Sequence, residues 1–324
     1  MTVGIAYRAA RFVLRAVALW ALLWQAPGAV AGADEAARSI AVIYPDIGEP
    51  YRSVFSAIIG GVEDKARARV VSVAVGANVN VPEISGDLRR RDVRAVIALG
   101  RNGLKVASGL DRSIGVVAGG VLSVPESEAQ SMSVYSLAPD PALLFARLKG
   151  LMPSARRVIV VYDPRQNAWL IRLAREAAKV HGLELVAFEA DDLKGAVRLY
   201  KDVLSSIDVR RDVLWLPQDT TTVEDSAVLP LVLREAWEQN LAVFSSSVSH
   251  VKRGALFALY PDNAELGREL AGWALSYAAS GVVPPRGLQP LKDVRVAVNT
   301  RTAKHLGINL GSAQMRFDMV YPEP

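Results

Sequence analysis

A chain of 324 residues, 51% apolar and 22% charged, with 24 Gly and 17 Pro spread along it, exceeds one ordinary domain and can bury a large core. Those proportions exclude collagen, a coiled coil and wholesale disorder. With no Cys, disulfides, thiol nucleophiles, thiolate metal sites and a lipid-modified N-terminal cysteine are excluded as well.

Much of the formal net charge of +5 sits at one end. Residues 1–31 carry Arg8, Arg11 and Arg15 and no acid, followed by the apolar run 16–24, a Pro27-Gly28 break and the small-residue end Ala29-Val30-Ala31. That order is the order of a secretory signal peptide. The apolar run falls short of the ~20 residues a membrane-spanning helix needs. Cleavage after Ala31 or Ala33 leaves 35 basic and 33 acidic residues, a net of +2. The electrostatic case for nucleic-acid binding then disappears. The expectation is a soluble, monomeric protein exported to the periplasm.

From residue 39 onward short β-branched runs alternate with amphipathic stretches of helical length, the pattern of parallel βα units. Strands are predicted at 39–44, 70–75, 94–99 and 114–118, with helices over 51–66, 82–91 and 102–111. A break rich in Ser, Pro and Glu at 123–130 precedes a second series, with strands at 157–162, 183–188, 213–216 and 242–244. Helices in that half are predicted at 139–151, 167–181, 192–206 and 222–239. The stretches 40–46 (IAVIYPD) and 158–164 (VIVVYDP) match in pattern, and Tyr51 falls on Trp169 at the same offset, which implies two similar lobes. A strand at 255–259, a helix at 262–280, a strand at 294–298 and a short helix ending at Gly307 complete the chain. The fold class is therefore α/β, two doubly wound parallel-sheet lobes joined by a multi-strand hinge. The first lobe is expected to hold 32–130 and 260–283, and the second 131–259 and 284–313. Crossings are expected at 121–133, 245–261 and 282–291.

Groups for catalysis are scarce. His181, His250 and His305 each lie shortly before a Gly at a predicted helix end, where the dipole and the C′ glycine account for them structurally. Metal-ligand spacings, a G-x-S-x-G elbow, a Walker A loop and a G-x-G-x-x-G turn are missing, so neither metal nor cofactor is expected.

In open parallel sheets ligands bind beyond the carboxyl ends of the strands, at helix N-termini. Here those places are the loop from Pro45 to Tyr51, Gly100-Arg101-Asn102, Gly119-Gly120, the run from Asp163 to Asn167 with Trp169, Pro217-Gln218-Asp219-Thr220, and Ser245-Ser246-Ser247. Arg101 suits a carboxylate, Tyr51 and Trp169 either clamp a ligand's body or pack under loops, and Asp46 either takes an ammonium or caps its helix. Thr221 and Glu224 fit a capping box that starts the next helix, and Ser245–Ser247 can be no more than a turn. Asp219 lies at a strand exit ahead of that cap. Asp219→Ala is then expected to weaken ligand capture while leaving thermal unfolding nearly unchanged.

These stretches carry a resemblance. From about residue 157 the chain resembles the substrate-binding proteins of ABC transporters, in the family that includes tryptophan and tyrosine binders. The resembling pieces are 158–164 before a helix, Trp215-Leu216-Pro217-Gln218-Asp219-Thr220, Val243-Phe244-Ser245-Ser246 and Ser249-His250-Val251-Lys252-Arg253-Gly254-Ala255-Leu256. Leu266-Gly267 and the string from Asn299 through Ala303-Lys304 to Leu306-Gly307 complete them. The resemblance implies a type I periplasmic-binding fold that closes on a small-molecule ligand and hands it to an ABC permease in the inner membrane. A sensory module reporting to a membrane receptor or kinase is the alternative, and a secreted α/β enzyme a weaker one. Ligand contacts are expected at Asp46, Tyr51, Gly100, Arg101, Asn102, Tyr162, Gln166, Asn167, Trp169, Gln218, Asp219, Ser246 and Tyr260. The sequence departs from the family's amino-acid-binding pattern: Gln166 stands at a Glu position, Ala168 at an Asn with Asn167 one place early, Gly100-Arg101-Asn102 at an Ala/Thr/Pro turn, and Tyr260 at a usual Gly. The ligand is accordingly read as either amino-acid-like or an organic acid.

Overall fold

The structure is a computed structural model that describes residues 39–76, 78–311 and 316–322. The expected signal peptide and its cleavage site lie outside them. The first sheet holds β1 (Ile40–Pro45), β2 (Val71–Val75), β3 (Ala95–Leu99), β4 (Gly115–Val121), β5 (Ser133–Pro139) and β11 (Gly287–Leu291), with apolar β1 and β3 buried on both faces at its centre and β2 and β11 partly exposed at its edges. Their order is β11-β5-β4-β3-β1-β2, with every pairing parallel. The second sheet holds β6 (Arg157–Tyr162), β7 (Glu184–Glu189), β8 (Asp212–Leu216), β9 (Val243–Ser245), β10 (Phe257–Pro261), β12 (Val294–Asn299) and β13 (Met319–Tyr321) in the order β13-β12-β10-β9-β8-β6-β7. Only β10 and β12 pair antiparallel in it. The expected pair of doubly wound, mostly parallel sheets is thus the architecture found.

The helices between the strands are α1 (Tyr51–Ala66), α2 (Val81–Arg90), α3 (Gly100–Ala107) and α4 (Glu126–Ala129) in the first series. The second series has α5 (Pro141–Leu151), α6 (Pro164–Val180), α7 (Leu193–Ser206), α8 (Val228–Gln239) and α9 (Val248–Arg253), followed by α10 (Asn263–Ser280) and α11 (Thr300–His305). Two expectations are corrected. Strand β5 follows the crossing expected at 121–133, in a stretch where no strand was expected, and β11 falls within the one expected at 282–291; both hydrogen-bond into the first sheet although the expected boundaries put them with the second lobe. Helix α8 starts at Val228 rather than near 222, because the Glu224 carboxylate accepts hydrogen bonds from Ser226 N (2.9 Å) and Ala227 N (2.6 Å) and the threonines before it are used elsewhere.

The chain therefore crosses between sheets three times: from β5 into α5, from β10 into α10, and from β11 into β12. Helix α10 follows a strand of the second sheet yet packs on α1 of the first. Gly61 and Gly267 permit this, since a Cβ on either would stand 2.0 Å from the carbonyl oxygen of Ala264 or Ile58. The core of the second lobe is an aromatic ladder across neighbouring strands. Trp215, Phe244 and Phe257 stack at 6.3 and 5.2 Å, and Phe145 of α5 meets Trp215 edge-on at 5.9 Å.

Candidate functional site

At the carboxyl ends of β1, β3 and β4 the chain turns over one side of a cavity of about 610 Å³, and the loops after β6 and β8 supply the other. The first sheet contributes Pro45 and Ile47, Tyr51 and Phe55 on α1, Gly100, Arg101 and Asn102 on α3, and the stretch 120–123 after β4. The second contributes Gln166 and Thr220. The floor needs its glycines. Gly100 and Gly120 have φ of +66° and +70°, which L side chains rarely adopt, and a Cβ on either would stand 3.1–3.2 Å from the Phe55 ring.

Helix α3 begins without a side-chain cap at Leu99, so the amides of its first turn are left to water or to a ligand. Arg101 is exposed beside them and has no ion-pair partner among the described residues. Tyr51 is 63% exposed at the start of α1. No acidic side chain lines the cavity. Asp46, between the lining residues Pro45 and Ile47, is exposed and does not cap α1, whose N-cap is Pro50 without a side-chain bond.

On the opposite side a closed polar network replaces the expected ligand contacts. Asp219 Oδ2 accepts from Asp163 N (2.7 Å) and Asn167 Nδ2 (2.9 Å), and Oδ1 from Thr221 N (3.0 Å) and Thr222 N (2.8 Å). The carboxylate is 5% exposed with its capacity used, so the expectation that Asp219→Ala leaves unfolding unchanged is reversed. Asp163 accepts from Arg165 Nη2 (2.7 Å), Thr221 Oγ1 (2.9 Å) and Gln166 Nε2 (3.3 Å). Burial pushes its carboxyl upward, but these bonds outweigh it and hold the pKa at about 2. The far end of Gln166 accepts from Thr220 Oγ1 at 3.2 Å, and this pair is what the network presents to the cavity.

The remaining expected contacts lie apart. Tyr162 is buried and donates to Glu189 Oε1 at 2.7 Å, and Asn167 is buried on Asp219. Gln218 keeps a buried side-chain oxygen without a protein partner, and Ser246 accepts Trp215 Nε1 at 3.2 Å inside the core. Tyr260, on β10, packs against the buried core of the second lobe. Trp169 lines a second cavity of about 350 Å³, between α6 and first-lobe residues, Val124 and Pro125 in the connection after β4 and Leu288 on β11. Sequence reasoning passed over Phe55 and the wall 121–123; the strand-end rule stops at the first residues of the helix, and Phe55 lies one turn further.

Ser245, His250 and Asp225 have the composition of a catalytic triad but not its access. His250 Nδ1 is 2.7 Å from Ser245 Oγ and its Nε2 is 4.0 Å from Asp225 Oδ1, yet Ser245 is 0% exposed, with its hydroxyl bonded to Leu216 O and Ser247 N. Burial lowers the pKa of His250 to about 4, with the Asp225 charge opposing and Arg253 adding to the shift. A histidine that titrates lower in the folded than in the unfolded chain contributes its full stability above about pH 6.5 and loses it as pH falls toward 4. Between those limits His250 is expected to remove about 3 kcal/mol of unfolding free energy. Urea titrations at pH 7, 5.5 and 4.5 check this, and His250→Asn should flatten that part of the profile. Asp163, held at about 2, contributes only below about pH 4 and does not confuse the reading.

Two lobes, three crossings and an interlobe cavity floored by strand ends define a solute-binding protein of the type I periplasmic fold. The family model for the ABC transporter substrate binding protein matches residues 145–315, more than half of the chain, and the chain belongs to that family. The family is one of binding proteins rather than enzymes. No curated protein sequence matches at a significant level. Among solved structures the chain is similar to a ligand-free, open substrate-binding protein with adhesive properties from Clostridium difficile, at 18% identity and a TM-score of 0.61, over 87% of this chain and 99% of that one. It is also similar to a conserved domain protein from Vibrio cholerae, with 17% identity, a TM-score of 0.54 and coverage of 87% and 99%. An ABC domain in complex with L-Trp from Streptococcus pneumonia matches with 14% identity, a TM-score of 0.53 and the same coverage. At these identities the likeness concerns the fold. Among the described residues no helix is long and apolar enough to cross a membrane and no acid or His cluster could hold a metal ion.

Proposed function

We propose that the chain is the periplasmic capture component of an ABC importer, a monomer that binds a small organic molecule between its lobes and delivers it to an inner-membrane permease. One observation carries this reading: the cavity draws its lining from both sheets, so a ligand in it gains contacts only when the lobes approach. Binding energy spent across the gap stabilises the closed arrangement, and closure is the signal a permease can recognise. The N-terminal signal-like segment supports export, and the family supports the permease as partner.

The test is mass spectrometry of the compound that co-purifies with the exported protein, followed by small-angle scattering with and without that compound. The radius of gyration should fall on binding. Identical scattering profiles for bound and unbound protein would reject hinge closure.

A further inference from the structure

We propose that the cleft selects a monoanionic carboxylate on an apolar, ring-bearing body and rejects molecules carrying an ammonium group; this rests on the cleft being the ligand site, as above. Charge among the lining residues is confined to one guanidinium, Arg101, beside the uncapped first turn of α3. One such cation with amide donors suits a single negative charge, where a phosphate dianion would call for a second cation. The decisive feature is what faces an amino group. Zwitterionic amino acids need a carboxylate for their ammonium, and no Asp or Glu stands among the residues that line the cavity. Asp219 and Asp163 are saturated within the second lobe. Glu49 and Asp46 lie outside the lining, with Glu49 holding Ser53 Oγ at 2.6 Å. An ammonium drawn into the closed cavity would lose its water without gaining a counter-charge. Tyr51 and Phe55 supply aromatic surface for the body.

The test uses three probes that share a phenyl skeleton: 3-phenylpropanoate, L-phenylalanine, which adds an ammonium, and 2-phenylethylamine, which has the ammonium alone. Isothermal titration of the dialysed exported protein should show 3-phenylpropanoate binding about tenfold or more tighter than L-phenylalanine, with no binding of the amine. Arg101→Gln should weaken 3-phenylpropanoate about tenfold or more while the unliganded melting temperature stays put. L-phenylalanine binding as tightly as the carboxylate overturns the proposal, and so does an absence of carboxylate binding. If the co-purifying compound proves to be a zwitterion or a cation whose binding falls in Tyr51→Ala, the ligand class fails and the cleft stands. Binding that survives both Arg101→Gln and Tyr51→Ala removes the cleft reading as well.

Discussion

Asp219→Ala is expected to lower the unfolding free energy by about 3–5 kcal/mol, because it strands four donors inside the second lobe. The amides of Asp163, Thr221 and Thr222 and the side-chain amide of Asn167 all converge on this one carboxylate. Water cannot replace it readily at a residue that is 5% exposed. The same network sets Gln166 and Thr220 at the cavity wall, so ligand affinity should fall together with stability. Urea unfolding followed by circular dichroism measures the change. Asp219→Asn keeps one acceptor oxygen and should recover part of the loss. An Ala variant that unfolds at the wild-type urea midpoint would show that the tie is not structural.

Gly267→Ala is expected to cost about 3 kcal/mol or more, a large effect for one methyl group. Its Cβ would stand 2.0 Å from Ile58 O and 3.0 Å from Val62 N, both backbone atoms, so the two helices must part rather than repack a side chain. Gly272 lies on the same helix with only Lys65 Cε, at 3.9 Å, near its added Cβ. There the same substitution should stabilise by about 0.5–1 kcal/mol, since Ala surpasses Gly in a helix interior. Thermal melts of the pair decide the matter, and equal behaviour at both sites would refute the close helix crossing.

The parts of the fold legible from sequence are those whose burial is simplest. Strands such as β3, and β8 from Val213 onward, are buried along their length and show as unbroken apolar runs between turn signals. Strand β11 escaped because it is short, only partly buried and carries a Gly and a Pro, and β5 because it buries polar atoms against specific backbone partners. Ser133 Oγ donates to Pro284 O at 2.9 Å and Ser136 Oγ to Leu122 O at 2.6 Å, which breaks any apolar pattern. At the site, the strand-end rule led to Tyr51, Gly100, Arg101, Asn102 and Gln166, which the structure brings to one cavity. It could not tell an acid facing a ligand from one facing amides of its own loop, and so misjudged Asp219. That distinction depends on where three backbone N–H groups point, which no residue type announces. His250 stands where it was read, in the last turn of α9 ahead of the Gly254 cap, but that reading did not extend to its ring, which is buried on Ser245.

The placement of Trp169 gives the molecule an optical gauge of its own state. Of the four tryptophans in the described residues, Trp215 is sealed in the aromatic ladder, Trp237 stacks on His305 at 3.7 Å and Trp273 packs against the core of the first lobe, so each of these three keeps to surroundings within one lobe. Trp169 alone among these four lines the gap whose far wall belongs to the other lobe. Its emission wavelength should therefore follow the angle between the lobes, and occupancy can be timed by stopped-flow fluorescence without attaching a dye.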